Sequence, residues 1–173
     1  MEPVSDQDEL DYDLASPGAR MGARLIDTVI GLGVWITLFF IIVAANDIDV
    51  TDTELDVVDA IPSGAALLLR WSPFIVWFFY EVFLTSTRGQ TAGKIVTRIK
   101  VIGVANGEPP PWGPAAMRWA VLALPMAIIP DILGPAVSAL VGFWFVWDSK
   151  RQGLHDKAAT TYVVKKPLPV RPE

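Results

Sequence analysis

Residues 25–45 form an unbroken apolar run of 21 positions with one charged side chain, Asp27. At ~1.5 Å rise per residue, a helix of that length matches the ~30 Å hydrocarbon core of a bilayer. A second run, residues 64–84, is built of Leu, Val, Ile, Phe and Trp around two charges, Arg70 and Glu81. A soluble domain scatters its apolar side chains with helical or strand period. Here they are contiguous and make up 52% of the chain. A third apolar region, residues 119–147, is too long for one span and short for two. Pro125, Pro130 and Pro135 interrupt it, with Asp131 and Gly134 between them. Proline removes a backbone donor and clashes with the preceding turn. The pattern predicts a tight helical hairpin turning near residues 130–135, its short arms tilted or re-entrant; one kinked span is the alternative.

Charge orients these segments. The formal net charge of −5 is uneven: six acids lie within residues 2–13, and six more within residues 47–59, where no Lys or Arg occurs. The remainder is basic. Arg88, Lys94, Arg98, Lys100 and Arg118 come after the second run, and Lys150, Arg151, Lys157, Lys165 and Lys166 lie near the C-terminus. Lys and Arg close to span ends mark the cytoplasmic side. The N-terminus, the second connection and the C-terminus are therefore expected in the cytoplasm of a cell membrane, with the acidic loop outside. That requires an even number of crossings and favours four. Trp77, Tyr80, Trp112, Trp119, Trp144 and Trp147 are expected at the inner interface, where amphipathic rings anchor. The acidic, polar opening of the chain reads as a disordered tail and not as a secretory signal.

The predicted fold is an all-α membrane protein with about four transmembrane helices, the last two a short proline-broken hairpin. Residues 1–16 are read as an acidic tail, 17–165 as the transmembrane domain and 166–173 as a C-terminal tail. Residues 97–104 and 161–164 have strand character and are expected to pair in a small cytoplasmic β element, with Asn106-Gly107 as a turn signal.

Several functions are excluded at this level. The chain has no cysteine, which removes disulfides and cysteine metal clusters. A single histidine, His155, cannot build a zinc site alone. No metal or other cofactor is expected. No arrangement of serine, cysteine or histidine suggests nucleophilic catalysis, so the chain is not read as an enzyme. Its basic residues flank apolar segments instead of forming a separate basic domain, which argues against a nucleic-acid partner. The expected partners are the lipid bilayer and either further copies of the chain or a membrane partner protein.

Four motifs in order give the chain a resemblance. Arg20, Ala23 and Asp27 form an Arg-x-x-Ala-x-x-x-Asp pattern at the first helix. Gly89, Thr91, Gly93 and Lys94 form Gly-x-Thr-x-Gly-Lys after the second. Arg118 opens the third, and Leu154, His155 and Asp156 form a closing Leu-His-Asp motif. The chain thus resembles the RDD family of bacterial membrane proteins, named for one arginine and two aspartates, over about residues 17–165. The resemblance implies a polytopic membrane protein; transport, including sodium–proton exchange in some members, has been proposed for that family. The acidic tail and the acidic second loop depart from its pattern.

The intramembrane charges are the candidate site. An ionised group at a helix centre costs ~2.5–3.5 kcal/mol on insertion scales, so it needs a partner, water or the interface. Arg20, Arg24 and Asp27 share a helix face, and Gly31 continues it. Glu81 should lie at the depth of Asp27, and Arg118 enters from the same side. A polar cluster of Arg20, Arg24, Asp27, Glu81 and Arg118 is predicted. It is either a cation or proton site, since two carboxylates held close together compete for ionisation, or a structural network neutralised by three arginines. Arg70 and Asp131 form a second candidate pair near the outer surface; alternatively Arg70 snorkels outward. Gly89 to Lys94 is one residue short of a phosphate loop and lacks its hydroxyl, so it reads as a tight turn with Thr91 capping the segment after it. His155 and Asp156 form either a proton relay or a helix cap paired with a basic neighbour.

Overall fold

The computed structural model describes residues 12–48, 61–129 and 132–165. The first helix, α1, spans Pro17–Ala45 and starts eight residues before the apolar run. Ser16 supplies the cap, its hydroxyl accepting from the Ala19 N–H at 3.3 Å, and Pro17 sits where no helical N–H is needed. The second helix, α2, is Ser63–Arg88 and ends at Gly89, which takes the left-handed conformation at φ +70°. Both helices are long and apolar enough to cross a membrane.

Their polarity is inverted relative to a soluble protein. On α1, Leu25, Val29, Leu32, Ile36, Phe40 and Ile41 are exposed, whereas Arg20 and Asp27 are buried. On α2, Leu67, Ile75, Phe79 and Phe83 are exposed and Glu81 is buried. A water-soluble helix turns its apolar stripe inward.

A five-residue helix, α3 (Ala92–Val96), leads to strand β1, Ile99–Gly103. Helix α4 (Trp112–Ile128) and helix α5 (Leu133–Phe143) fold back on each other. A Cβ at Gly134 would meet the Pro125 carbonyl and Met126, and one at Gly142 would meet Leu122, so missing side chains set the closeness of the two arms. Residues 130 and 131 of the turn lie outside the described residues. A 3₁₀ turn, Trp144–Val146, comes next, then α6 (Leu154–Ala158) and β2 (Thr161–Lys165).

The expected β element is present: β1 and β2 pair antiparallel, Ile99 opposite Lys165 and Gly103 opposite Thr161. Asn106 and Gly107 lie in the turn after β1, where the Gly107 N–H donates to the Gly103 carbonyl. The boundary of the N-terminal tail needs correction. Leu14 forms a bridge to Val164, the Ala15 N–H donates to the Val163 carbonyl at 2.9 Å, and Asp13 pairs with Lys165 at 3.0 Å. Residues 13–15 thus occupy the otherwise open edge of β2, whose unpaired groups need a partner. Residues 1–11 of the tail, most of the acidic loop and residues 166–173 lie outside the described residues.

Ala15, Ala23, Ile99, Val101 and Val163 form one small core. It gathers the start of α1, the connection after α2 and the last strand at one end of the molecule.

Candidate functional site

Three buried carboxylates lie beside this core, each held differently. Asp27 is 2% exposed. Its Oδ1 accepts from the Tyr80 hydroxyl and the Gly93 N–H, both at 2.8 Å, and its Oδ2 accepts from the Thr91 hydroxyl at 2.6 Å. No ion pair among the described residues includes it.

The Gly-x-Thr-x-Gly-Lys stretch explains this arrangement. Gly89 turns the chain off α2, and a Cβ there would strike the Val101 carbonyl oxygen. The Gln90 amide donates to the Ile99 carbonyl at 2.7 Å and ties the turn to β1. Thr91 occupies the cap position of α3 but makes no side-chain cap; its hydroxyl goes to Asp27 instead, which corrects the capping role expected for it. At Gly93 a Cβ would overlap the Ala23 carbonyl oxygen, so only glycine lets α3 press against α1. The stretch does present donors to an anion, as its likeness to a phosphate loop suggests. That anion is the chain's own carboxylate.

Glu81 accepts from the Trp77 indole at 3.0 Å and from Arg24 at 3.3 Å, with the Lys94 ammonium 3.6 Å away. The Trp77 ring fits over Gly31, where a Cβ would collide with it. Burial lowers the Lys94 ammonium to about 8 against the opposing pull of Glu81.

Asp156 has no solvent exposure. Arg20 pairs with it at 2.8 Å, Arg118 pairs with its other oxygen, and the Gly153 N–H donates to it at 2.9 Å. It is therefore at once a cap of α6 and the partner of two basic residues. Burial opposes its ionisation, but Arg118 and Arg20 outweigh that and hold the carboxyl well below the usual range. The Arg118 guanidinium also reaches the Thr161 hydroxyl at 2.5 Å, and Arg20 reaches the Val163 carbonyl at 3.3 Å. His155 Nε2 lies 3.4 Å from Asp156, but burial pushes the imidazole down to about 4, so it is neutral at pH 7.

All five members of the predicted cluster lie in this layer, but their pairing differs from the expectation. Arg20 and Arg118 serve Asp156, Arg24 serves Glu81, and Asp27 is held by neutral donors. Three arginines do not neutralise Asp27 and Glu81. Sequence reasoning missed Trp77 and Tyr80 as donors, having placed them at the interface. The i, i+4 spacing of Trp77 and Glu81 was the available signal. It also left Lys94 and Asp156 outside the cluster. Arg70 is exposed, and Asp131, its expected partner, lies outside the described residues.

A cavity of about 780 Å³ opens between α1, α2 and the α4–α5 pair. Arg20, Arg24, Asp27, Glu81, Lys94, Arg118 and His155 line it on the polar side, and the rest is mostly apolar, with Thr28, Ser72 and Ser138 among it. Asp156 does not reach it. Among the described residues no group of His, Cys, Asp or Glu is placed to hold a metal ion.

Comparison with known proteins agrees with the motif order. The RDD family matches residues 14–160. The chain is 35% identical over 105 residues to the proline-rich antigen of Mycobacterium leprae (strain TN), covering 58% of this chain and 38% of that protein. It is 32% identical over 110 residues to the proline-rich antigen homolog of Mycobacterium tuberculosis (strain CDC 1551 / Oshkosh), covering 60% and 41%. The chain thus matches about two-fifths of the length of these relatives. No solved structure matches. With the family matched over most of its length and the motif residues gathered in one layer, the chain belongs to the RDD family.

Proposed function

We propose that the protein is a four-pass cell-membrane protein that couples movement of a small cation to protons through Asp27, with the cation-paired Glu81 beside it. The four-pass reading draws on the convergence of the start of α1, the end of α2, the start of α4 and β2 at one end. It also draws on the lengths of α1 and α2, ~44 Å and ~39 Å, with α4 and α5, ~26 Å and ~17 Å, as the short arms of the hairpin. The basic residues gathered at that end support a cytoplasmic placement for it.

The observation that carries the transport reading is Asp27 itself. It is a buried carboxylate at the wall of a large cavity, held by three neutral donors and by no cation among the described residues. A carboxylate spent on architecture resembles Asp156, sealed off from the cavity by two arginines. One held by hydroxyls and an N–H carries a charge that no arginine or lysine among the described residues pairs with, at the cavity wall.

The test is flux in proteoliposomes. A pH gradient imposed across vesicles holding the wild-type chain should collapse when sodium or potassium is added. Asp27→Asn should reduce the rate to that of empty vesicles. Equal rates for wild type and Asp27→Asn would eliminate the reading.

A second reading, a non-catalytic scaffold or accessory subunit, draws on the Arg20–Asp156–Arg118 lock, which ties α1, α4 and α6 together around a carboxylate that does not reach the cavity. Gly142, a small residue a partner helix would need, already packs against Leu122 within the chain. Crosslinking in native membranes that recovers only free monomer would argue against the scaffold.

A further inference from the structure

The cavity has more apolar length than an ion requires and more donors than its own acceptors use. Its wall on α1 runs from Arg24 to Leu38, ~21 Å of helix. That exceeds the ~15 Å of one bilayer leaflet. Val34, Leu38, Phe74, Leu122 and Met126 line this arm.

The polar end has the opposite imbalance. Arg20, Arg24, Lys94 and Arg118 face Asp27, Glu81 and Asp156, so four cations meet three carboxylates and one positive charge is unmatched. Arg24 is the most exposed of the four, its side chain 37% accessible, and its bond to Glu81 is long at 3.3 Å. Lys94 Nζ, Ser138 Oγ, Trp119 Nε1 and His155 Nδ1 have no hydrogen-bond partner, and all four belong to residues that line this one cavity. Lys94, Ser138 and His155 are each more than nine-tenths buried. Three of these four atoms can act only as donors or can readily donate, and a donor-rich end with surplus positive charge asks for an anionic, acceptor-rich ligand.

We propose that this cavity is a binding site for one acidic phospholipid, its phosphate at Arg24 and Lys94 and an acyl chain along the arm between α1 and α4. A free inorganic anion would leave the apolar arm empty, and a zwitterionic lipid would leave the surplus charge unmatched. The site stands independently of ion transport, since it uses the cationic and apolar walls and not the chemistry of Asp27.

The test uses the full chain purified in detergent, with native mass spectrometry and thermal melting as readouts. The probes are phosphatidylglycerol, phosphatidylcholine of the same acyl chains, and inorganic phosphate. Phosphatidylglycerol should be retained at one molecule per chain and raise the melting temperature, and the other two should do neither. Arg24→Gln should weaken retention about fivefold, the worth of one basic residue at an anionic headgroup. Ala139→Trp, placed on an exposed wall residue of the arm, should block retention while melting normally without lipid. Equal stabilisation by phosphatidylcholine, stabilisation by inorganic phosphate alone, or unchanged retention in either variant would overturn the proposal.

Discussion

Asp156 shows how much one side chain can hold. Its carboxylate has no solvent exposure and joins Arg20, 136 positions away in sequence, to Arg118, 38 positions away. Removing one member of a buried ionic group leaves the others desolvated and unpaired, at a cost of ~3–5 kcal/mol. Asp156→Asn keeps the shape and loses the charge. It is expected to lower unfolding free energy by about that amount in detergent, measured by denaturant titration; a change below ~0.5 kcal/mol would show that the lock is not what secures this end. Adjacent to it, His155 was legible as unusual because it is the chain's one histidine. Its neutrality was not, because burial is a property of the packed structure.

At the scale of elements, the turn from α2 through α3 into β1 decides how close the second connection lies to the first helix. Gly93 presses on the Ala23 carbonyl, with the Asp27 carboxyl carbon 3.0 Å from where a Cβ would stand. Gly33, in the middle of α1, has open space around it. The same substitution should therefore have opposite effects. Gly93→Ala is expected to destabilise by ~1–3 kcal/mol through overpacking. Gly33→Ala is expected to be neutral or stabilising by up to ~1 kcal/mol through helix propensity. Melting of both variants in one detergent checks the pair, and equal effects would remove the close-approach argument. Both long helices, the broken pair α4–α5 and the β pairing were readable beforehand, because each depends on local period and on proline placement. The edge contribution of residues 13–15 was not, because a three-residue Asp-Leu-Ala stretch gives no sign of the partner strand that will accept it.

Across the whole molecule, α1 and α2 expose apolar faces and the charge is distributed unevenly between the two ends. Basic residues and the sheet gather at one end, and the acidic connection leaves from the other end of α1. The absence of native cysteine makes this measurable, because an introduced thiol is the sole target for a maleimide. In intact cells an impermeant maleimide should label the D47C variant, and it should label N106C only after the membrane is opened. Labelling of N106C from outside would reverse the proposed orientation. The composition of each segment settled where apolar helices form and which connections are basic, since length, period and charge count are local quantities that a linear chain carries openly. Which cation meets which acid, and which carboxylate is left facing the cavity on neutral donors, was settled only by folding. Those pairings depend on side chains from distant elements arriving within 3–4 Å of one another, a distance that no spacing along the sequence encodes.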